Sequence, residues 1–188
     1  MDRMTQMFRQ TTRLAAIVAL IAVAGAARAA DMPITAFFGV YAGEAEVARA
    51  DGSTSTRSLD VTIQPWKRGF SVAWTTIRHR KDGSIDRKSH KINFAPSQRG
   101  GIYRSAMKAD MFGALVPLDP LKGEPYVWAR VREKTLTVYA LHIRADGAYE
   151  MQVYDRMLTK TGLDLRFSRW REGEAVKVIK AALKRQAG

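Results

Sequence analysis

The sequence lacks cysteine, is poor in acidic residues and has no apolar run long enough to cross a membrane, and each absence excludes a class of protein. Without cysteine the chain has no disulfide, no thiolate metal ligand, no thiol nucleophile and no lipid-modified cysteine as an anchor. The apolar run over residues 14–24 contains 11 residues, whereas a transmembrane helix needs about 20. We therefore expect a fold held by its apolar core, with no transmembrane segment in the mature chain.

Residues 1–30 have the three parts of a cleavable secretory signal peptide. Three arginines in the first 13 residues are followed by the apolar run, and Ala27-Arg28-Ala29 supplies the small-x-small pattern that signal peptidase requires. About 158 residues remain after cleavage, enough for one domain with a substantial core. We expect residues 31–188 to form a single domain exported to the periplasm, a compartment that suits a domain without disulfides.

Basic residues outnumber acidic ones, 31 Lys and Arg against 18 Asp and Glu, which gives a formal net charge of +13. The leader contributes +3 of this charge, so the mature domain carries about +10. Such a charge favours anionic partners, namely lipid head groups, lipopolysaccharide, acidic polysaccharides or nucleic acid. Export argues against nucleic acid. The alternative is that the surplus charge only keeps the domain soluble.

The mature chain is dominated by short runs rich in Val, Ile, Thr, Tyr and Phe, which predict about nine β-strands. These runs cover residues 38–49, 58–64, 70–75, 92–94, 101–107, 126–132, 135–144, 148–157 and 163–170. Consecutive hairpins of strands with one apolar face predict an all-β, antiparallel, up-and-down barrel, because closure removes the sheet edges. Polar residues on the outer face of 58–64 indicate a soluble barrel and not an outer-membrane one.

Three connections share an Asp-Gly pair, at residues 51–52, 82–83 and 146–147. A two-residue turn would place the large apolar side chains of one hairpin on opposite faces. A three-residue loop that ends in a left-handed Gly keeps them on one face, and register normally follows that requirement. This choice pairs Trp74 with His90, Val72 with Ile92, Tyr41 with Val61, and Tyr139, Leu141 and Ile143 with Val153, Met151 and Tyr149.

Residues 172–186 are predicted to form a C-terminal α-helix. Val176, Ile179 and Leu183 fall on one stripe, and three lysines lie opposite. Such a basic amphipathic helix either rests on an anionic membrane or packs on the barrel wall with its lysines in water.

The connection over residues 105–125 is unusually apolar, with seven large apolar side chains and three prolines. The prolines argue against one continuous strand or helix. The segment either caps one end of the barrel as a lid or portal, or crosses over and plugs the bottom of the barrel.

The hairpin over residues 70–94 is the candidate binding site. With the chosen register, its inner face is apolar at depth and cationic at one rim, which suits an amphiphile with a carboxylate or phosphate head group. We expect Arg78, Lys88 and His90 to hold that head group. The predicted cavity lining is Tyr41, Val61, Phe70, Val72, Trp74, Ile92 and Phe94.

The sequence contains no recognised catalytic, phosphate-binding or dinucleotide-binding motif. His79 and His90 face opposite sides of their hairpin, so they cannot share a metal site, and His142 falls on the less apolar face of its strand. We therefore predict no catalytic residue, no metal and no cofactor, and favour a binding protein over an enzyme.

The segment Phe38-Gly39-Val40-Tyr41-Ala42-Gly43-Glu44 resembles the Gly-x-Trp opening of lipocalin-like (calycin-type) barrels and is similar to the start of nitrobindin-type barrels, with Tyr41 at the Trp position. Much of the chain also resembles a family of proteobacterial exported proteins. The lipocalin-like resemblance implies that a small apolar or amphipathic molecule binds inside the barrel. Nitrobindin-type haem binding relies on a histidine near the C-terminal strands, and residues 163–170 contain none, so haem is not implied.

Two hypotheses follow. The first is a periplasmic, non-catalytic, lipocalin-like binding protein for a small apolar or anionic amphipathic ligand. The second is an envelope interaction protein with a filled barrel, whose basic surface docks on lipopolysaccharide or an acidic partner with peripheral membrane contact. An enzyme acting on an envelope substrate is a third, which converging His142, Tyr and carboxylate groups would favour.

Overall fold

The structure is a computed structural model, and it describes residues 30–48, 54–80, 82–106, 108–109, 115–116 and 118–187. Its strands are β1 (Gly39–Ala48), β2 (Thr54–Trp66), β3 (Gly69–His79), β4 (Ile85–Pro96), β5 (Ile102–Ser105), β6 (Lys108–Ala109), β7 (Leu115–Val116), β8 (Tyr126–Arg132), β9 (Thr135–Ile143), β10 (Tyr149–Leu158), β11 (Gly162–Arg171) and β12 (Glu174–Arg185). Two short 3₁₀ helices, η1 (Ile34–Phe37) and η2 (Pro120–Lys122), complete the secondary structure of this part of the chain. The predicted leader before Ala30 and the loop over 49–53 lie outside the described residues.

Ten strands form one closed antiparallel barrel in the order β1-β12-β11-β10-β9-β8-β5-β4-β3-β2. The predicted all-β antiparallel barrel is therefore confirmed, with one strand more than the nine expected. The short strands β6 and β7 form a separate two-stranded sheet within the connection from β5 to β8. Among the described residues, no helix is long and apolar enough to span a bilayer.

The predicted hairpin registers are confirmed. The observed partners are Tyr41 with Val61, Val72 with Ile92, Trp74 with His90, and Tyr139 with Val153. Gly83 and Gly147 have φ angles of 80° and 82°, a conformation that glycine adopts without a steric penalty. Each amide donates to the carbonyl three residues back, at 3.1 and 2.9 Å. The left-handed glycine therefore sets the register of both hairpins.

The predicted α-helix over residues 172–186 is wrong, because this segment is the tenth strand of the barrel, β12. Glu172 and Gly173 form a two-residue turn with φ angles of 50° and 85°, and β12 then pairs with β11 on one side and β1 on the other. Ile179 and Leu183 lie on the same face in a helix and in a strand, so the pattern fits both. Strand pairing prevails since it satisfies two edges that would otherwise stay open.

One end of the barrel, the closed end, is filled by apolar side chains and covered by η1. Phe37 of η1 is fully buried there. The apolar core of the barrel comprises Phe37, Tyr41, Val61, Ile63, Phe70, Val72, Phe94, Val127, Ala129, Val131, Leu136, Val138, Ala140, Leu163 and Leu183. Burial of so many apolar groups supplies the main stabilisation of a domain without disulfides.

Arg185 connects the last strand, β12, to η1 and β1 at the closed end. Its guanidinium donates to the carbonyl oxygens of Phe38 and Ala36, at 2.9 and 3.1 Å, and to the Tyr41 hydroxyl at 2.7 Å. The Tyr41 hydroxyl in turn donates to the carbonyl oxygen of Phe37 at 2.8 Å. Burial raises the pKa of Tyr41, although the charge of Arg185 opposes this effect. The last strand is thereby fixed to η1 and β1.

The opposite, open end carries the described residues 80 and 82–84 between β3 and β4, and the turns 144–148 and 172–173. Strand β4 pairs with β5 only at Phe94, Ala95 and Pro96, so most of that edge of β4 has no strand partner in the described chain. The described parts of the predicted 105–125 lid or plug are the β6–β7 sheet and η2, and η2 contacts β9. Of the described parts, η2 therefore packs beside β9, and the lid and the plug both stay predictions.

Candidate functional site

The open half of the barrel encloses a cavity of about 290 Å³. Ligand pockets usually start near this size. Residues from seven barrel strands line it: Ala45, Arg57, Leu59, Asp60, Val61, Trp74, Thr75, Thr76, Lys88, His90, Gln152, Tyr154, Arg156, Leu165, Phe167, Arg169, Lys177 and Ile179. The cavity is thus apolar and aromatic on part of its wall and strongly cationic on the rest.

Arg156 is the most unusual residue of the cavity wall. Its side chain is only 1% exposed, and within the described residues its one hydrogen bond is a long donation of 3.5 Å to the Tyr154 carbonyl oxygen. Its Nε has no partner there. Burial lowers the pKa of Arg156 to about 10, while Tyr154 and Asp155 oppose that fall. A buried guanidinium without a carboxylate is unfavourable, and an anion in the cavity would relieve it.

Further cations surround the cavity nearer the open end. Arg57, Lys88, Arg169 and Lys177 all line it, and Nε of Arg57 lacks a partner among the described atoms. Burial, followed by the like charges of Arg57 and Arg169, lowers the pKa of Lys177. Mutual repulsion of this kind shows that the positive charge on the wall is only partly neutralised.

Glu150 is the carboxylate that partly balances this charge. Its carboxylate accepts hydrogen bonds from Gln152 at 2.9 Å and Arg171 at 3.5 Å, and lies 3.8 Å from Nε of Arg169. Burial alone would raise the pKa of Glu150, but the Gln152 hydrogen bond and the two arginines together lower it. His142 is its register partner on the inner face.

Four aromatic rings form a continuous wall beside the cations. Trp74 stacks on His90 with ring centres 5.1 Å apart and lies 5.5 Å from Tyr154, which lies 4.8 Å from Phe167. Arg156 lies near two of these rings, 5.9 Å from Trp74 and 5.6 Å from Tyr154. The rings offer flat apolar area close to the cationic groups, the combination that an anionic amphiphile requires.

The residues predicted from the sequence divide between the cavity and the core. Val61, Trp74, Lys88 and His90 line the cavity. Tyr41, Phe70, Val72 and Phe94 are fully buried in the closed-end core, and Ile92 packs against it. Arg78 lies on the inner face opposite Asp86 and beside Arg57, while Asp86 forms its ion pair with Arg80 at 3.5 Å.

Sequence reasoning missed the contribution of β10, β11 and β12. The missed lining residues include Tyr154, Arg156, Phe167, Arg169 and Lys177. The sequence of β8 could have indicated which residues of β10 face inward, because Arg130 and Arg132 alternate with apolar residues and must face outward. The two-residue turn after β8 then places Val131 opposite Leu136, and counting onward in steps of two brings Arg156 to the inner face.

In the part of the chain that the structure describes, no three His, Asp or Glu side chains gather as metal ligands would. Comparisons with protein-family models, curated proteins and solved structures find no match to this chain. The closed ten-stranded barrel is compatible with a lipocalin-like fold, and function must be argued from the cavity itself.

Proposed function

We propose that this protein is a periplasmic, non-catalytic binding protein that holds a small anionic amphiphile in the open half of its barrel. The observation that carries the proposal is Arg156, a cation that is buried in the cavity wall without a carboxylate partner among the described residues. An anionic head group would complete its hydrogen bonds. The surplus charge from Arg57, Arg169 and Lys177 supports the same ligand class.

The dimensions of the cavity limit the ligand. A volume of about 290 Å³ corresponds to about ten waters, each of ~30 Å³, and hence to a molecule of roughly ten non-hydrogen atoms. Its apolar part would pack on Trp74, Leu165, Phe167 and Ile179. We place its head group at Arg156, deeper than the rim expected from the sequence, with Lys88 and His90 at the mouth.

The filled-barrel hypothesis has less support, because apolar side chains fill only the closed end. The periplasmic location rests on the signal-peptide pattern of residues 1–30. Cell fractionation with N-terminal sequencing of the product tests it, since export requires a new terminus near Asp31.

Calorimetric titration with octanoate and octanol tests the ligand class, because the two molecules share a chain length and differ in charge. We expect octanoate to bind and octanol to bind much more weakly. In Arg156→Met, octanoate affinity should fall by roughly thirtyfold or more, since loss of a desolvated charge partner costs about 2 kcal/mol or more. Octanol affinity should change little.

Native mass spectrometry of protein purified from periplasm provides an independent readout of a bound anion. Two results together would overturn the proposal: no ligand that co-purifies, and equal affinities for octanoate and octanol. Arg78→Glu serves as a second variant, because Arg78 lies nearer the mouth. A larger loss of octanoate affinity in this variant than in Arg156→Met would contradict the deep position of the head group.

A further inference from the structure

The outer surface of β8 to β12 carries two successive rows without a charged residue, both near the open end. The pairing registers give the upper row as Tyr126, Leu141, Met151, Trp170 and Ala175, and the lower row as Trp128, Tyr139, Val153, Ser168 and Val178. We call these ten residues the apolar band. A half-exposed sheet face normally alternates toward polar side chains, so this composition needs an explanation.

The apolar band ends abruptly at a charged row. The next outward row toward the closed end is Arg130, Thr137, Asp155, Arg166 and Lys180. Its three cations are exposed, whereas the Asp155 carboxylate accepts a hydrogen bond from Thr137 at 2.7 Å. The band is therefore bordered by a row with three cations and one carboxylate, so the positive charge of that row is largely unbalanced.

The other side of the barrel has no comparable surface among its described residues. There the outward rows across β2, β3 and β4 are Ser58, Ile77 and Arg87, then Asp60, Thr75 and Ser89, and then Thr62, Ala73 and Lys91, and each contains a charged residue. The contrast between the two sides of one barrel shows that the band is a local feature and not a general property of the outer wall.

Several members of the band reach solvent. Tyr126 is 42% exposed and Val178 is 46% exposed, and the adjoining Tyr149 and Val176 are 41% and 45% exposed. Leu121 of η2, which contacts β9, is 82% exposed. Large apolar patches of this kind on a folded domain mark interaction sites.

We propose that the apolar band and Leu121 dock the barrel on an anionic lipid surface. Tyr and Trp side chains suit the boundary between head groups and acyl chains, because they combine an apolar body with a polar tip. Arg130, Arg166 and Lys180 can extend toward anionic head groups while their stems lie on the band. The band adjoins the mouth of the cavity, so the bound orientation places the mouth beside the membrane from which an amphiphile would enter.

A second copy of the chain explains the surface less well. It would cover the apolar rows, but the bordering row offers three cations and one carboxylate that already binds Thr137. A self-complementary interface would need matching acidic groups for those cations. An anionic membrane provides them in excess.

Vesicle sedimentation tests this inference independently of ligand binding in the cavity. Protein purified from the periplasm is mixed with vesicles of phosphatidylcholine alone, or of phosphatidylcholine and phosphatidylglycerol in equal parts. We expect binding that requires phosphatidylglycerol, and an affinity about tenfold lower in Val178→Glu, which loses one apolar contact and adds a charge.

Gln64→Glu is the matched control, because it adds the same charge at an exposed outward position of β2. Its affinity should stay within about twofold of the wild-type value, as expected for a residue that does not touch the membrane. Brominated lipids should quench the fluorescence of the two tryptophans of the band, Trp128 and Trp170, and replacing both with phenylalanine should remove most of the quenching. Equal losses in both glutamate variants, or a dimer that Val178→Glu dissociates, would overturn the proposal.

Discussion

Replacement of Arg156 by methionine should stabilise the free protein while it weakens octanoate binding. Burial lowers the pKa of Arg156 well below its usual range, to about 10. Since one pKa unit corresponds to about 1.4 kcal/mol, the charged form is destabilised by about 3 kcal/mol. The two ring contacts, near the ~6 Å limit of a cation–π interaction, return about 0.5 kcal/mol each. The expected net gain in the free energy of unfolding is therefore about 2 kcal/mol.

Thermal and urea unfolding of the ligand-free protein measure this gain. For a domain of this size, about 2 kcal/mol corresponds to a rise in Tm of about 4–8 °C. Lys184→Met is the control, because it also replaces a cation by methionine, at an exposed outward position, and should change stability by less than about 0.5 kcal/mol. If Arg156→Met unfolds more easily than the wild type, Arg156 is compensated in the free protein and our reasoning is refuted.

Two further predictions concern the mouth of the cavity and the seam of the barrel. Glu150→Gln should lower stability by about 1 kcal/mol and strengthen octanoate binding. Because the pKa of Glu150 is lowered in the folded state, this stability difference should be present above about pH 4.3 and vanish in more acidic urea titrations. In Gly43→Ala, the new Cβ would collide with the carbonyl oxygen of Ala182 and lie 2.9 Å from Leu183, which should lower the free energy of unfolding in urea by about 1–3 kcal/mol. Gly100→Ala is the control, because its Cβ would meet open space, and it should be neutral. Equal effects of the two substitutions would contradict close packing between β1 and β12.

The strands and their register could be predicted from the sequence because each depends on local alternation and turn chemistry. Trp74 and His90 were placed opposite each other by one loop ending in Gly83. The last strand could not be assigned in this way, because Ile179 and Leu183 satisfy helical and strand periods alike. The strand is favoured over the helix only because β1 and β11 each require a hydrogen-bonded neighbour. That requirement arises from closure of the whole barrel.

The cavity was harder to predict for a related reason. Apolar side chains were expected to face inward, but Leu141, Met151 and Trp170 face outward in the apolar band, whereas Arg156 faces inward. The usual rule that large apolar groups identify the inner face therefore fails on β9 to β11. A surface that contacts lipid and an interior that binds an anion would both invert that rule, and they would invert it on the same strands.

This inversion is physically possible because the closed end stabilises the fold, whereas the open half of the barrel forms the cavity. Tyr41, Phe70 and Phe94 fill the closed end, and Arg185 ties the last strand to η1. The fold therefore does not depend on apolar packing along the whole interior, and Arg156, deep in the cavity opposite Leu136, can remain buried at a cost that the core offsets. A barrel packed along its whole length would be more stable, but it would have no unfavourable charge for a ligand to relieve, and hence no comparable source of affinity for an anion.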